Sequence, residues 1–275
     1  MKKLIRIELI KIFNYRPFQI LLGLYVLAIA LGLIIYPLID RQIPVISLSD
    51  LFRFPNVWPF MTWITEPYNV LLALMVIMIA TTEFNNHTFK TQVIFGLGRR
   101  ELISQKIVLI VFLALFATLL IGFTSLMLGL THSYKITFGI ALENSWVLST
   151  YFLSSMTYML FGLFFALIIK NTALALLGFL GYRTFLEPLV FAILLDKEKA
   201  IGWYFPMRAN TRLTPIPNLI EIFWKKMNSE APSEESFSEI MPKGLPIWAN
   251  ILLILAFIGI IVFFSYRIMN RKRLT

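Results

Sequence analysis

A chain of 275 residues that is 58% hydrophobic and 15% charged, with a mean hydropathy of +0.77, is too apolar for a water-soluble domain; such domains carry charge on roughly a quarter of their residues. It has no cysteine, which excludes disulfides and thiolate metal sites. Its net charge of +10 invites nucleic acid as a partner, but the placement of the charges makes it a topology signal instead.

In chain order, "MKKLIRIELIKIFNYRP" is basic and imperfectly amphipathic. Its Lys and Arg can snorkel to headgroups, so residues 1–16 are expected as an interfacial helix. Spanning the hydrocarbon takes about 20 apolar residues in a helix. Six runs qualify: 17–39, 58–80, 107–130, 146–169, 172–195 and 247–266. The first is too long for a signal-peptide core and is expected as an uncleaved anchor. The fifth is interrupted by Arg183 and Glu187. The fold class expected is therefore an all-α integral membrane protein with one transmembrane domain over residues 1–275.

Lys and Arg in short flanking loops favour the cytoplasm. On the side of the termini, fourteen basic residues face only Glu8, Glu83 and Glu101, whereas the opposite side is balanced. Both termini are expected in the cytoplasm, with anionic lipid as a contact and no nucleic-acid binding. Trp58, Trp146, Trp203, Trp224 and Trp248 lie near the outer ends, as interfacial anchors do.

Two connections are more than linkers. Residues 81–106, "TTEFNNHTFKTQVIFGLGRRELISQK", are polar and punctuated by Gly96 and Gly98. Thr81 or Thr82 is expected to cap a short helix with Glu83 in its first turn, followed by a turn and then Arg99 to Lys106, which begin the next helix as a basic collar. Phe84, Phe89, Val93 and Ile94 form no single stripe, which suits either a helix end in a partner's groove or a plain interfacial loop. Residues 196–246 form a long outer loop, aromatic and Pro-rich at first, then acidic and polar.

Chemistry of other kinds is missing from the sequence. No G-x-x-x-x-G-K-[ST] phosphate loop occurs, Gly96 and Gly98 follow no strand, and H-E-x-x-H is absent. His87 and His132 are expected on opposite sides of the membrane, so they form no shared metal site. Ser154 and Ser155 have no base nearby in sequence and are read as helix hydrogen-bonding groups. A charge at membrane depth costs roughly 2.5 to 3.5 kcal/mol, so Glu66, Arg183 and Glu187 each need a partner or water. Arg183 and Glu187 are four apart on one helical face, and Glu66 reaches a similar depth. The three are expected to cluster, either lining a substrate path or outer gate, or locking the second span to the fifth.

These features together resemble the six-helix permease subunits of bacterial ABC transporters of the ABC-2 (type V exporter) class. The residues that carry the resemblance are "IELIK" in the basic N-terminal helix, then Glu83, Thr88, Phe89 and Lys90, then Gly98, Arg99, Arg100, Glu101 and Lys106. Glu187-Pro188 and Tyr204-Phe205-Pro206 add to it, while Asn85-Asn86-His87 departs from the Gly-Thr pair the family often carries. The resemblance implies a bacterial inner-membrane protein that pairs with a second permease copy or paralogue. It also implies that each copy docks residues 81–106, as a cytoplasmic coupling helix, on a separate ATP-binding subunit holding ATP and Mg. Glu83, Phe84, His87, Thr88, Phe89, Lys90, Arg99 and Arg100 would then be the coupling residues, with Phe89 in an apolar contact to the ATPase. This chain would itself be no enzyme and hold no cofactor, and the complex would export an amphipathic, peptide or lipid-like compound. A membrane enzyme using the intramembrane carboxylates and a non-transporting scaffold are the alternatives from other classes.

The topology is directly testable in a chain without cysteine. Single cysteines at Ser233 and Asn86 are expected to react with an impermeant thiol reagent from opposite sides of the membrane. Labelling of both from one side would rule out the six-span arrangement.

Overall fold

The computed structural model describes residues 12, 14–42, 51–86, 88–134, 137–195, 201–215 and 245–271, without the side chains of 34–42, 90, 194–195, 201–202 and 271. All but residues 12 and 14–16 of the interfacial helix expected at 1–16, and most of the outer loop, with Trp224, lie outside the described residues. Every regular element among the described residues is helical. In chain order these are α1 (Arg16–Gln42), α2 (Val57–Thr65), a 3-10 turn (Glu66–Tyr68), α3 (Asn69–Asn85), α4 (Thr88–Ile94), α5 (Arg99–His132) and α6 (Phe138–Leu142). There follow α7 (Val147–Ile169), α8 (Thr172–Gly181), a π turn (Tyr182–Leu186), α9 (Glu187–Leu195), a 3-10 turn (Ile201–Tyr204), α10 (Pro206–Thr211) and α11 (Ile247–Arg271).

Six helical stretches are long and apolar enough to cross a membrane: Arg16–Leu33, Val57–Asn85, Arg99–His132, Phe138–Ile169, Thr172–Ile193 and Ile247–Asn270. The protein is therefore a multi-pass helical membrane protein by architecture. The second and fourth stretches are the inner pair, each 61% buried, while the first, fifth and sixth are 17% buried. The outer helices expose large apolar side chains such as Leu27, Leu119, Leu177 and Phe263, which in a bilayer meet acyl chains.

The inner pair meets at Gly162 of α7. A Cβ there would lie 2.8 Å from the Ala73 carbonyl oxygen of α3 and 3.2 Å from an Ile77 side-chain carbon. With no hydrophobic drive between helices in lipid, close backbone approach at small residues is what favours packing. Around the contact the core is Leu72, Ala73, Val76, Ile77, Ala80 and, on α7, Met159, Leu163 and Ala166.

Two of the spans are broken. Pro67 has no N–H to continue the ladder, and Thr62 and Thr65 bond back to the Trp58 and Met61 carbonyls at 3.0 and 2.6 Å. The second span accordingly passes through a 3-10 turn at Glu66–Tyr68. In the fifth span, Pro188 cannot donate to residue 184 and its ring crowds that carbonyl, and the preceding turn is widened. The Glu187 N–H reaches the Tyr182 carbonyl, one residue further than in an α-helix.

Spans four and five are joined by Lys170 and Asn171 alone. Lys170 takes the left-handed conformation, φ 58°, that ends α7, and Asn171 caps α8 by accepting the Leu174 N–H at 3.2 Å. At the opposite end Trp58 is buried, its indole N–H on the Ala141 carbonyl at 2.8 Å, so it ties spans two and four rather than floating as an interfacial anchor. Trp146 and Trp248 are exposed.

Replacing Gly162 with Val should force the inner pair apart and destabilise the protein by about 1 to 3 kcal/mol, the usual range for overpacking. Gly23→Val, at a position whose Cβ meets nothing within 4 Å, is the comparison. Thermal melts in detergent in which the two variants fall equally would show that the close approach is not what holds the pair.

Candidate functional site

The intramembrane charges divide into two groups. Arg183, in the π turn, donates from Nε and Nη2 to the Tyr158 hydroxyl at 3.1 and 2.8 Å. That hydroxyl donates to Glu66 Oε1 at 2.5 Å, and the Arg183 Nη2 to Glu66 Oε2 distance is 4.0 Å. Tyr158 thus sits between the charges and serves both. Its ring also lies under the guanidinium, 5.0 Å from the carbon to the centroid. Glu66 is buried, whereas the Arg183 side chain keeps 24% of its surface open.

Glu187 takes no part in this cluster, which corrects the three-residue grouping expected from spacing. Spacing along the helix brings the two residues near one another in sequence only: Arg183 is taken up by Tyr158 and Glu66, and the segment that folds back beyond the fifth span takes Glu187. Glu187 instead accepts the backbone N–H groups of Met207 and Arg208, at 3.2 and 2.6 Å, and fixes α10 against the fifth span. Tyr158 was not marked by the sequence, because a tyrosine in an apolar helix carries no signal of its partners. A second chain of hydroxyls crosses the bundle nearby: Tyr25 donates to Tyr151 at 3.1 Å, and Tyr151 to Asn69 Oδ1 at 3.1 Å. It links spans one, two and four.

The polar segment between spans two and three is anchored by a buried ion pair. Lys106 Nζ lies 2.7 Å from Glu83 Oε1, and both side chains are 3% exposed. Thr81 and Thr82 do not cap a new helix as expected. Their hydroxyls bond back to the Ile77 and Met78 carbonyls at 2.8 and 2.7 Å, inside the continuing α3. The short helix begins at Thr88, whose hydroxyl donates to the Glu83 carbonyl at 3.3 Å. Phe89 packs on Phe84, ring centroids 4.6 Å apart, with the Lys106 ammonium 6.0 Å from its own centroid. Phe89 is only 2% exposed. It faces its own bundle, not the outward contact expected of it.

What α4 presents outward is its far end. Ile94 and Phe95 are 75% and 83% exposed, ahead of a tight turn in which Gly96 takes φ 91°. The Gly98 N–H is then capped by the Glu101 carboxylate at 3.1 Å, and α5 begins at Arg99. Arg99 reaches the Asn270 carbonyl at 3.2 Å. Arg100 lines an open cleft with Ser104, Tyr266, Arg267 and Asn270. Lys170 lies 5.6 Å from the Phe84 ring. His87 lies outside the described residues, as does the side chain of Lys90, whose backbone is in α4. Ser155 bonds the Phe152 carbonyl at 3.0 Å, in the helix role expected of it.

Compared with known proteins, the chain matches no family model, and no curated protein matches its sequence.

The geometry identifies which acid balances Arg183. Arg183→Leu should lower the melting temperature by leaving Glu66 with no cation. Adding Glu66→Gln should recover part of the loss, with a coupling energy of about 1 kcal/mol or more, whereas adding Glu187→Gln should recover nothing. Recovery with Glu187→Gln but not with Glu66→Gln would overturn the assignment.

Proposed function

We propose that this chain is the membrane-spanning subunit of an ATP-driven exporter, and that the segment from Glu83 to Lys106 is where a separate ATP-binding subunit engages it. The observation that carries the reading is the build of that segment. Its base is fixed to spans two and three by the Glu83–Lys106 pair and Phe89, while its tip offers Ile94 and Phe95 to the outside. A push on such a tip moves both spans together, because the base is packed and ion-paired rather than hinged. Neighbouring exposed large apolar side chains on a polar loop favour a protein contact over water.

In this reading ATP and Mg belong to the partner, and a second copy or a paralogue completes the pathway. The chain sits in a bacterial inner membrane with both termini in the cytoplasm, as its charge distribution favours. The cargo is amphipathic, peptide or lipid-like, and moves outward. The Glu66–Tyr158–Arg183 cluster, with its partly open guanidinium, is a polar feature that such a cargo could pass.

The test uses the ATPase that co-purifies with the wild-type chain. Ile94→Asp with Phe95→Asp removes two exposed side chains, so the permease should melt within about 0.5 kcal/mol of wild type, the range for surface changes. It should bind the ATPase on the order of 10- to 100-fold more weakly, the usual effect of removing a central apolar side chain from an interface. Phe89→Asp, by contrast, should destabilise the permease itself. Full ATPase binding and stimulation by a well-folded double variant would exclude this tip as the docking point. A wild-type chain that captures no ATPase would remove the exporter reading.

A further inference from the structure

Beyond the fifth span the chain folds back. Phe205 is extended, Pro206 opens α10, and Glu187 holds the Met207 and Arg208 N–H groups. Met207, Ala209 and Asn210 are buried, the last with its amide on the Ser154 carbonyl at 3.4 Å. Arg208 and Arg212 are four residues apart along this packed segment. The Arg208 guanidinium carbon lies 3.9 Å from the Phe191 ring centroid, and that of Arg212 lies 3.4 Å from the Trp203 ring. The two rings meet edge to face at 5.3 Å. Two adjacent aromatic faces are therefore each covered by a guanidinium.

Stacking occupies the flat faces of a guanidinium and leaves its fork of N–H donors pointing outward in the plane. Among the described residues neither fork has an acceptor. The nearby carboxylate is Glu187, and both its oxygens receive backbone N–H groups. Burial, and then the like charge of Arg208, hold the Arg212 guanidinium below its usual pKa. Among the described residues, two cations have thus been brought together with one acid already in use, and no anion engages their forks. The surroundings are amphipathic: Tyr204 is exposed beside Trp203, and α9 turns Leu189 and Ile193 outward to where acyl chains would lie.

We propose that Arg208 and Arg212 form a cradle for a phosphate group, at the end of the bundle opposite the Glu83–Lys106 segment. Planar forks match phosphate oxygens in pairs, and two forks can engage more oxygens than one carboxylate offers. The phosphate comes either from a lipid headgroup, whose tails would lie along α9, or from a soluble phosphate. The assignment is independent of the ATPase partner and does not require the chain to transport anything.

The absence of cysteine allows a local reporter. Tyr204→Cys, labelled with an environment-sensitive dye in a non-ionic detergent, is titrated with dioctanoyl phosphatidic acid, with dioctanoylglycerol and with inorganic phosphate. Phosphatidic acid should give a saturable change at a concentration at least tenfold below that needed for the neutral dioctanoylglycerol. Adding Arg208→Gln and Arg212→Gln should weaken the phosphatidic acid response at least tenfold, and the paired Lys variant should weaken it less. Inorganic phosphate matching phosphatidic acid would support the cradle and assign it a soluble ligand; a far weaker phosphate response would support it as a headgroup site. Equal responses to phosphatidic acid and dioctanoylglycerol would overturn the proposal. So would an unchanged response from a folded double-Gln variant. Should that variant not fold, the comparison of the two lipids on the parent protein decides alone.

Discussion

The contact between Gly162 and the Ala73 carbonyl sets the distance between the two inner spans, and most of the polar architecture follows from that distance. Tyr158 is one turn from Gly162 on the same helix and reaches Glu66; Tyr151, two turns further along, reaches Asn69. These hydroxyls donate directly, with no room left between the helices for intervening lipid. In hydrocarbon a polar group has no water to turn to, so a contact missed by an ångström or two leaves a donor or acceptor unsatisfied. Apolar packing at one small residue therefore determines whether the hydrogen bonds beside it exist.

Much of the fold was legible because hydropathy over about 20 residues is a strong signal, and the six apolar helices fall where it places them. The helix ends were legible in part. The third-span helix begins at Arg99, where the basic collar was expected to open it, eight residues before the apolar run, with Glu101 capping Gly98. Thr81 and Thr82 looked like a start and are mid-helix, since a hydroxyl can satisfy itself on the preceding turn.

The side-chain pairings were legible only in part. Glu66 and Arg183 are together, as their common depth implied. Glu187 is engaged elsewhere because its partners, the Met207 and Arg208 N–H groups, come from a segment 20 and 21 residues further on, which spacing within one helix cannot reveal. Phe89 failed for a different reason. A seven-residue helix has too few positions to show a periodic face, and what buries Phe89 is Phe84 and Lys106 on the neighbouring helices. The α10 arginines were unmarked too, because stacking partners on another helix leave no trace in local sequence.

The π turn of the fifth span holds one residue more than an α-helical turn would need. Absorbing that residue would turn everything beyond it by about 100° and advance it by about 1.5 Å, the rotation and rise of one helical position. The Glu187 carboxylate, clasping the backbone of α10, is what opposes that turn from above. The Arg183 guanidinium, resting on Tyr158, opposes it from below. The fifth span thus has the form of a screw with one thread in reserve and a stop at each side of it.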